Sequence, residues 1–228
     1  YGAENVAFSP YLRRLKQELY NDSVRKIESV SGQGGGSNNR WVDLTLKVTP
    51  KMIKDAQGNE NKAFTGHLGT HFDVMNKEFP LNYTERKAIV FDVSSISGRD
   101  IEVQDIDLSK VRPDMFVSFY SGYIERESYG SKAYFSEHPQ LSDELIEKLL
   151  DRHISIIGID FAGVRRGKEH TPKDQYCADK GVFIIENLCH LGQLLVGDEK
   201  SAEFIANTYP MNFAEMTGLP CRVIAKRK

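Results

Sequence analysis

An α+β fold, with a mixed sheet in the main domain and a helical arm in front of it, is what this chain predicts. Three observations carry that reading. Apolar residues recur at helical spacing within the first thirty positions, four glycines crowd residues 31–39, and short β-branched runs interleave with a capped helix beyond Trp41.

Ser9 and Pro10 form an N-cap and first helical position, and Leu12, Leu15, Leu19, Val24 and Ile27 then make one apolar stripe among charged residues. Residues 1–30 are therefore expected to form an amphipathic helical arm. Residues 31–39 hold Gly32, Gly34, Gly35 and Gly36, a linker composition with a reach of roughly 15 to 18 Å. The arm is expected to be either natural or an engineered fusion, and the opening Tyr1 in place of Met fits a processed or engineered N-terminus better than a native start.

The main domain is expected over 40–228. Residues 41–48 partly alternate apolar and polar, as a half-buried strand does, and 88–93 and 115–120 are further strand candidates. Ser142, followed by Asp143 and Glu144, starts a helix running to about Arg152, because the hydroxyl caps free N–H groups and the acids suit the positive helix end. Residues 154–160 and 182–188 are almost continuously apolar, the pattern of central strands covered on both faces. Residues 204–209 and 222–225 close the sheet, with Gly218 and Pro220 expected to turn the chain before the last strand.

Composition excludes several functions. A net charge of −2 without a long basic block argues against nucleic acid, and no apolar run approaches the roughly 20 residues of a membrane span. Three widely spaced cysteines, Cys177, Cys189 and Cys221, match neither a disulfide scaffold nor a zinc ribbon. A soluble cytoplasmic protein with a small-molecule substrate is expected. Cys177, close to Asp174 and Asp179, reads as a packing residue, since acidic neighbours raise a thiol pKa.

The chemistry concentrates at 67–73. On a helix, His67 and His71 would share a face while Asp73 pointed away; on a strand of period two, His67, Gly69, His71 and Asp73 share one side. Two imidazoles and a carboxylate suit Zn²⁺ or Mn²⁺ and leave a coordination position open for water.

The run His67-Leu68-Gly69-Thr70-His71-Phe72-Asp73 resembles the H-x-G-T-H-x-D-x-P-x-H signature of the cyclase family, which includes kynurenine formamidases and isatin hydrolases. Trp41-Val42-Asp43-Leu44-Thr45, Phe119-Tyr120-Ser121-Gly122-Tyr123, His138-Pro139-Gln140-Leu141-Ser142, Ile157-Gly158-Ile159-Asp160 and Ile184-Ile185-Glu186-Asn187-Leu188 resemble further family landmarks in family order. The resemblance covers 41–228. It implies a cyclase-like swivelling β/β/α fold, a homodimer or larger homo-oligomer, and metal binding by His67, His71 and Asp73.

The signature's P-x-H ending is absent: Met75 replaces the proline and Lys77 the last histidine. Asp174 stands where the family places another histidine, with His170 four residues earlier. One divalent ion, Mn or Zn, is therefore expected, with the Lys77 ammonium replacing the second by pairing with Asp174 or Glu186 or by steadying a substrate oxygen. Glu186 is either a ligand or a general base, and Asp174 shares that catalytic assignment. Arg165 and Arg166, in the loop after a central strand, and Tyr123 are the substrate-binding candidates.

The resemblance implies a metal-dependent hydrolase of an amide, formamide or cyclic amide carbonyl. The alternatives are a cyclase or dehydratase of the same family and a non-catalytic small-ligand-binding homologue.

Overall fold

The computed structural model describes residues 40–56 and 66–227. Contacts divide the chain between Asn39 and Arg40, and the account concerns the second unit; the arm and linker expected over 1–39 lie outside the described residues.

Eight strands are present among the described residues: β1 (Trp41–Asp43), β2 (His71–Asp73), β3 (Glu85–Asp92), β4 (Phe116–Tyr120), β5 (Ile156–Ile159), β6 (Phe183–Glu186), β7 (Ser201–Pro210) and β8 (Gly218–Arg227). Their order is β1-β8-β2-β6-β5-β4-β3-β7, and β7 also pairs with β8. Seven strands, β2 to β8, thus close a ring, and β1 extends β8 outside it. The pairs β3–β4, β4–β5 and β5–β6 are parallel, and the remaining pairs are antiparallel. Closure removes the edges that an open sheet leaves unpaired.

The helices are α1 (Pro50–Ala56), α2 (Tyr123–Arg126), α3 (Lys132–Ser136), α4 (Asp143–Leu150) and α5 (His170–Asp179). The expected Ser142 cap forms: its hydroxyl accepts from Leu145 N–H at 3.1 Å, with Asp143 and Glu144 in the first turn.

Strand alternation sorts the apolar residues into two cores. Phe72, Ala88, Phe116, Ile156, Ile185, Phe204 and Val223, drawn from all seven ring strands, fill the space the ring encloses. Val117, Ile157 and Ile184 face outward and pack with Leu145 and Leu149 of α4 and Cys177 of α5. This placement agrees with the packing role expected of Cys177, whose thiol burial and nearby Asp174 push up to about 12. β5 and β6 are buried along their whole length, as central strands should be.

Three local expectations are corrected. The first strand spans only Trp41–Asp43, and Thr45 adds an isolated bridge to Leu188. Gly218 and Pro220 lie inside β8, paired with Asp73 and His71, because the chain has already turned before residue 218. Only His71–Asp73 of the 67–73 segment is strand; Gly66 and Gly69 take φ of 84° and 73°, so the chain bends into β2 instead of running straight. A Cβ on Gly66 would lie 1.9 Å from the Gly218 carbonyl oxygen, so only glycine permits that approach.

Candidate metal centre

β2 lies between β6 and β8, and its register puts His71 opposite Glu186 and Asp73 opposite Ile184. Phe72 points into the enclosed core. Its neighbours His71 and Asp73 therefore project from the outer face, where α5 packs against β6.

His67 Nδ1 lies 3.0 Å from His71 Nε2 and 3.0 Å from Asp73 Oδ1, and His71 Nε2 lies 3.4 Å from Asp73 Oδ1. The three sequence-predicted ligands do converge, although His67 reaches the others through the bend at Gly69 and not along a strand. The other ring nitrogens are engaged: His71 Nδ1 donates to the Gly69 carbonyl at 2.9 Å, and His67 Nε2 meets the Thr217 hydroxyl at 2.9 Å. A carbonyl only accepts, so in neutral His71 the Nε2 lone pair faces the cluster.

A second cluster shares Asp73. His170 and Asp174 stand one turn apart on α5, with His170 Nε2 3.2 Å from Asp174 Oδ2 and 2.9 Å from Glu186 Oε1. The candidate ligand atoms of His67, His71 and Asp73, and separately those of Asp73, His170, Asp174 and Glu186, all lie within 4.8 Å of one another. His170 had no site role in the sequence reading; the i, i+4 spacing to Asp174 was the signal that could have found it, once α5 was known to be helical.

Three buried carboxylates, Asp73, Asp174 and Glu186, crowd this space. Asp73 Oδ2 and Asp174 Oδ1 have no hydrogen-bond partner, which is costly in an apolar surrounding. Positive charge is held to compensate. Burial depresses the His71 pKa, but Asp73 and Glu186 more than reverse that and raise it to about 9. Burial likewise opposes His170, and Glu186, Asp174 and Asp73 lift it to about 10. Asp73 stays ionised at very low pH, since the adjacent imidazoles outweigh its burial, whereas burial plus the charges of Asp73 and Glu186 hold the Asp174 carboxyl far above the usual range. The donor set, imidazole nitrogen and carboxylate oxygen with unpartnered oxygens among it, fits divalent Zn²⁺ or Mn²⁺.

The cluster opens on a cavity of about 460 Å³ whose walls include Phe135, Ala162, Thr171 and Met75. Neither Arg165, Arg166 nor Tyr123 lines it. Arg165 is committed to structure: Nη1 donates to Asp100 Oδ2 at 2.6 Å and to the Leu141 carbonyl at 2.9 Å, and its other nitrogens pair with Glu169. Arg166 Nη1 reaches the Ser136 carbonyl at 3.4 Å, and the Tyr123 hydroxyl donates to the Ala133 carbonyl at 2.9 Å.

Lys77 is also outside the cluster. Met75 and Asn76 take φ of 51° and 66°, a reversal that carries Lys77 to the surface, where its ammonium lies 2.6 Å from Asp179 and from neither Asp174 nor Glu186. Lys77 is therefore not placed to stand in for a second cation.

Residues 42–165 match the model of the family described as "Putative cyclase". The chain belongs to the cyclase family. A search of curated proteins returned no match. Among solved structures, one described as a potential metal-dependent hydrolase with cyclase activity is similar at 22% identity and a TM-score of 0.63, covering 82% of this chain and 98% of that one. A predicted metal-dependent hydrolase from Bacillus stearothermophilus is similar at 21% identity and a TM-score of 0.63, with 82% and 98% coverage. Isatin hydrolase A from Labrenzia aggregata is similar at 18% identity and a TM-score of 0.61, with 90% and 99% coverage. These likenesses agree on the cyclase fold, a ring of mixed strands with few helices. Among the described residues, no helix of this cyclase-family chain is long and apolar enough to cross a membrane.

Proposed function

We propose that this protein is a metal-dependent hydrolase of an amide, formamide or cyclic amide carbonyl, with two cation positions that share Asp73. The observation that carries this reading is the pair of ligand clusters meeting at one buried carboxylate whose Oδ2 has no hydrogen-bond partner. His67, His71 and Asp73 would hold one ion, and Asp73, His170, Asp174 and Glu186 the other.

A divalent cation supplies Lewis-acid polarisation of a carbonyl and makes water a stronger nucleophile at neutral pH. The side chains do the rest. Asp174, with its Oδ1 free of hydrogen-bond partners, is suited to accept a proton from attacking water and pass it to the leaving amine. Phe135, Ala162 and Met75 offer apolar walls that exclude bulk water and take the substrate's apolar part.

The test is metal analysis of protein never exposed to a nickel resin, followed by a screen of N-formyl and cyclic amides after Mn²⁺ or Zn²⁺ loading. Hydrolysis that requires loading and disappears in His71→Ala is the expected result. Absence of bound metal after supplementation, or turnover unaffected by His71→Ala, would sink the reading.

A further inference from the structure

We propose that Asn187 is a positioning residue of the metal centre, acting on His71 through the Gly69 carbonyl. The inference rests on the metal-binding part of the function proposed above.

Asn187 follows Glu186 in the chain, is buried and has a φ of 59°, a conformation asparagine adopts more readily than most residues. Every polar group it has is engaged. Its backbone N–H donates to the Phe161 carbonyl at 3.1 Å, and its backbone carbonyl accepts from the Thr70 hydroxyl at 2.7 Å. The side-chain Oδ1 accepts from the Tyr134 hydroxyl at 2.8 Å, and Nδ2 donates to the Gly69 carbonyl at 2.9 Å. The amide can point only this way, because a carbonyl cannot donate to it.

Gly69 is the piece these bonds hold. Its carbonyl accepts from Asn187 Nδ2 and from His71 Nδ1, and its N–H donates to the Tyr129 hydroxyl at 2.8 Å. Tyr129 and Tyr134 pack edge to face with ring centroids 5.3 Å apart. One aromatic pair thus holds the two peptide units flanking Gly69, the preceding one directly at the Gly69 N–H and the following one through Asn187 at the Gly69 carbonyl. The segment needs that hold: Gly69 has a φ of 73° and is open to the wide range of backbone states glycine allows. With its carbonyl fixed, the His71 ring is fixed in orientation and its Nε2 kept free for a cation, the service that outer partners perform for metal-binding histidines.

Two measurements test this. On metal-free protein, the Nδ1–H proton of His71 should appear as a downfield, slowly exchanging NMR signal in the wild type and be lost or broadened in Asn187→Gly. Zn²⁺ affinity, measured by competition with a chromophoric chelator, should fall about 10- to 100-fold in the same variant. Asn187→Gly keeps the left-handed backbone available, and Tyr134→Phe, which removes one hydroxyl, should give a smaller loss in the same direction and serves if the glycine variant does not fold. Ser118→Ala, which deletes a buried bond to the Ile89 carbonyl away from the site, should leave both readouts unchanged. Retention of the proton signal with Zn²⁺ affinity within twofold of wild type, or equal loss in Ser118→Ala, overturns the proposal. If the wild type binds neither Zn²⁺ nor Mn²⁺, the proposed function fails, and the NMR comparison still decides this one.

Discussion

His170 and Asp174 occupy successive turns of α5, and His170 Nε2 lies 3.2 Å from Asp174 Oδ2 while also reaching Glu186 Oε1 at 2.9 Å. At position 174, where the resemblance led to the expectation of a histidine, the chain has a carboxylate, and an imidazole reaches the same cluster from one helical turn upstream. On the proposed function, the added carboxylate oxygen makes the second cluster harder in ligand character, and Mn²⁺ is expected to gain there relative to Zn²⁺.

His170→Ala separates the two cation positions. Metal content by mass spectrometry should drop from two ions per chain toward one, with the position formed by His67, His71 and Asp73 still filled. Loss of both ions, or of neither, would contradict a site divided at Asp73.

Lys77→Ala should change neither turnover nor the thermal midpoint measurably, since its partner is the exposed Asp179 and exposed ion pairs contribute little. A large loss of turnover would return Lys77 to the catalytic role that its place in the signature had implied.

The metal-free protein should lose stability as pH rises from about 6.5 to about 10. The sign follows from linkage: His71 at about 9 and His170 at about 10 bind protons more tightly folded than unfolded, so their contribution is complete below the unfolded value and disappears as pH passes through the folded ones. Thermal melts across this range should show the decline, and saturating Zn²⁺ or Mn²⁺ should flatten it, because bound cations replace those protons.

Asp160→Ala should destabilise the fold by about 1 to 3 kcal/mol, the cost of leaving buried donors unpaired. Asp160 joins the end of β5 to the turn after β4, accepting from Ser121 Oγ at 2.6 Å, from Ser121 N–H at 3.1 Å and from Gly122 N–H at 2.6 Å. Burial raises its carboxyl to about 6 against those donors. Chemical denaturation of the variant measures the cost, and a neutral result would mean that the turn holds without it.

The sequence by itself determined what depends on near neighbours. Ser142 with its two acids announced α4 and the β-branched runs announced β5 and β6, because capping and alternation act within a few residues of one another; the spacing of His67, His71 and Asp73 announced their cluster, although a bend at Gly69 and not strand alternation brings His67 to it. Arg165 and Arg166 qualify as substrate-binding candidates by their chemistry and by their place in a loop after a central strand, and neither says which partner a long side chain will meet. Only the tertiary structure decided that Arg165 pairs with Asp100, that two left-handed residues turn Lys77 outward, and that the sheet closes through β7 and β8. It also decided the second cluster: Asp73, His170 and Glu186 are far apart in the chain, and only the packing of α5 against β6 beside β2 brings their charges into one buried space.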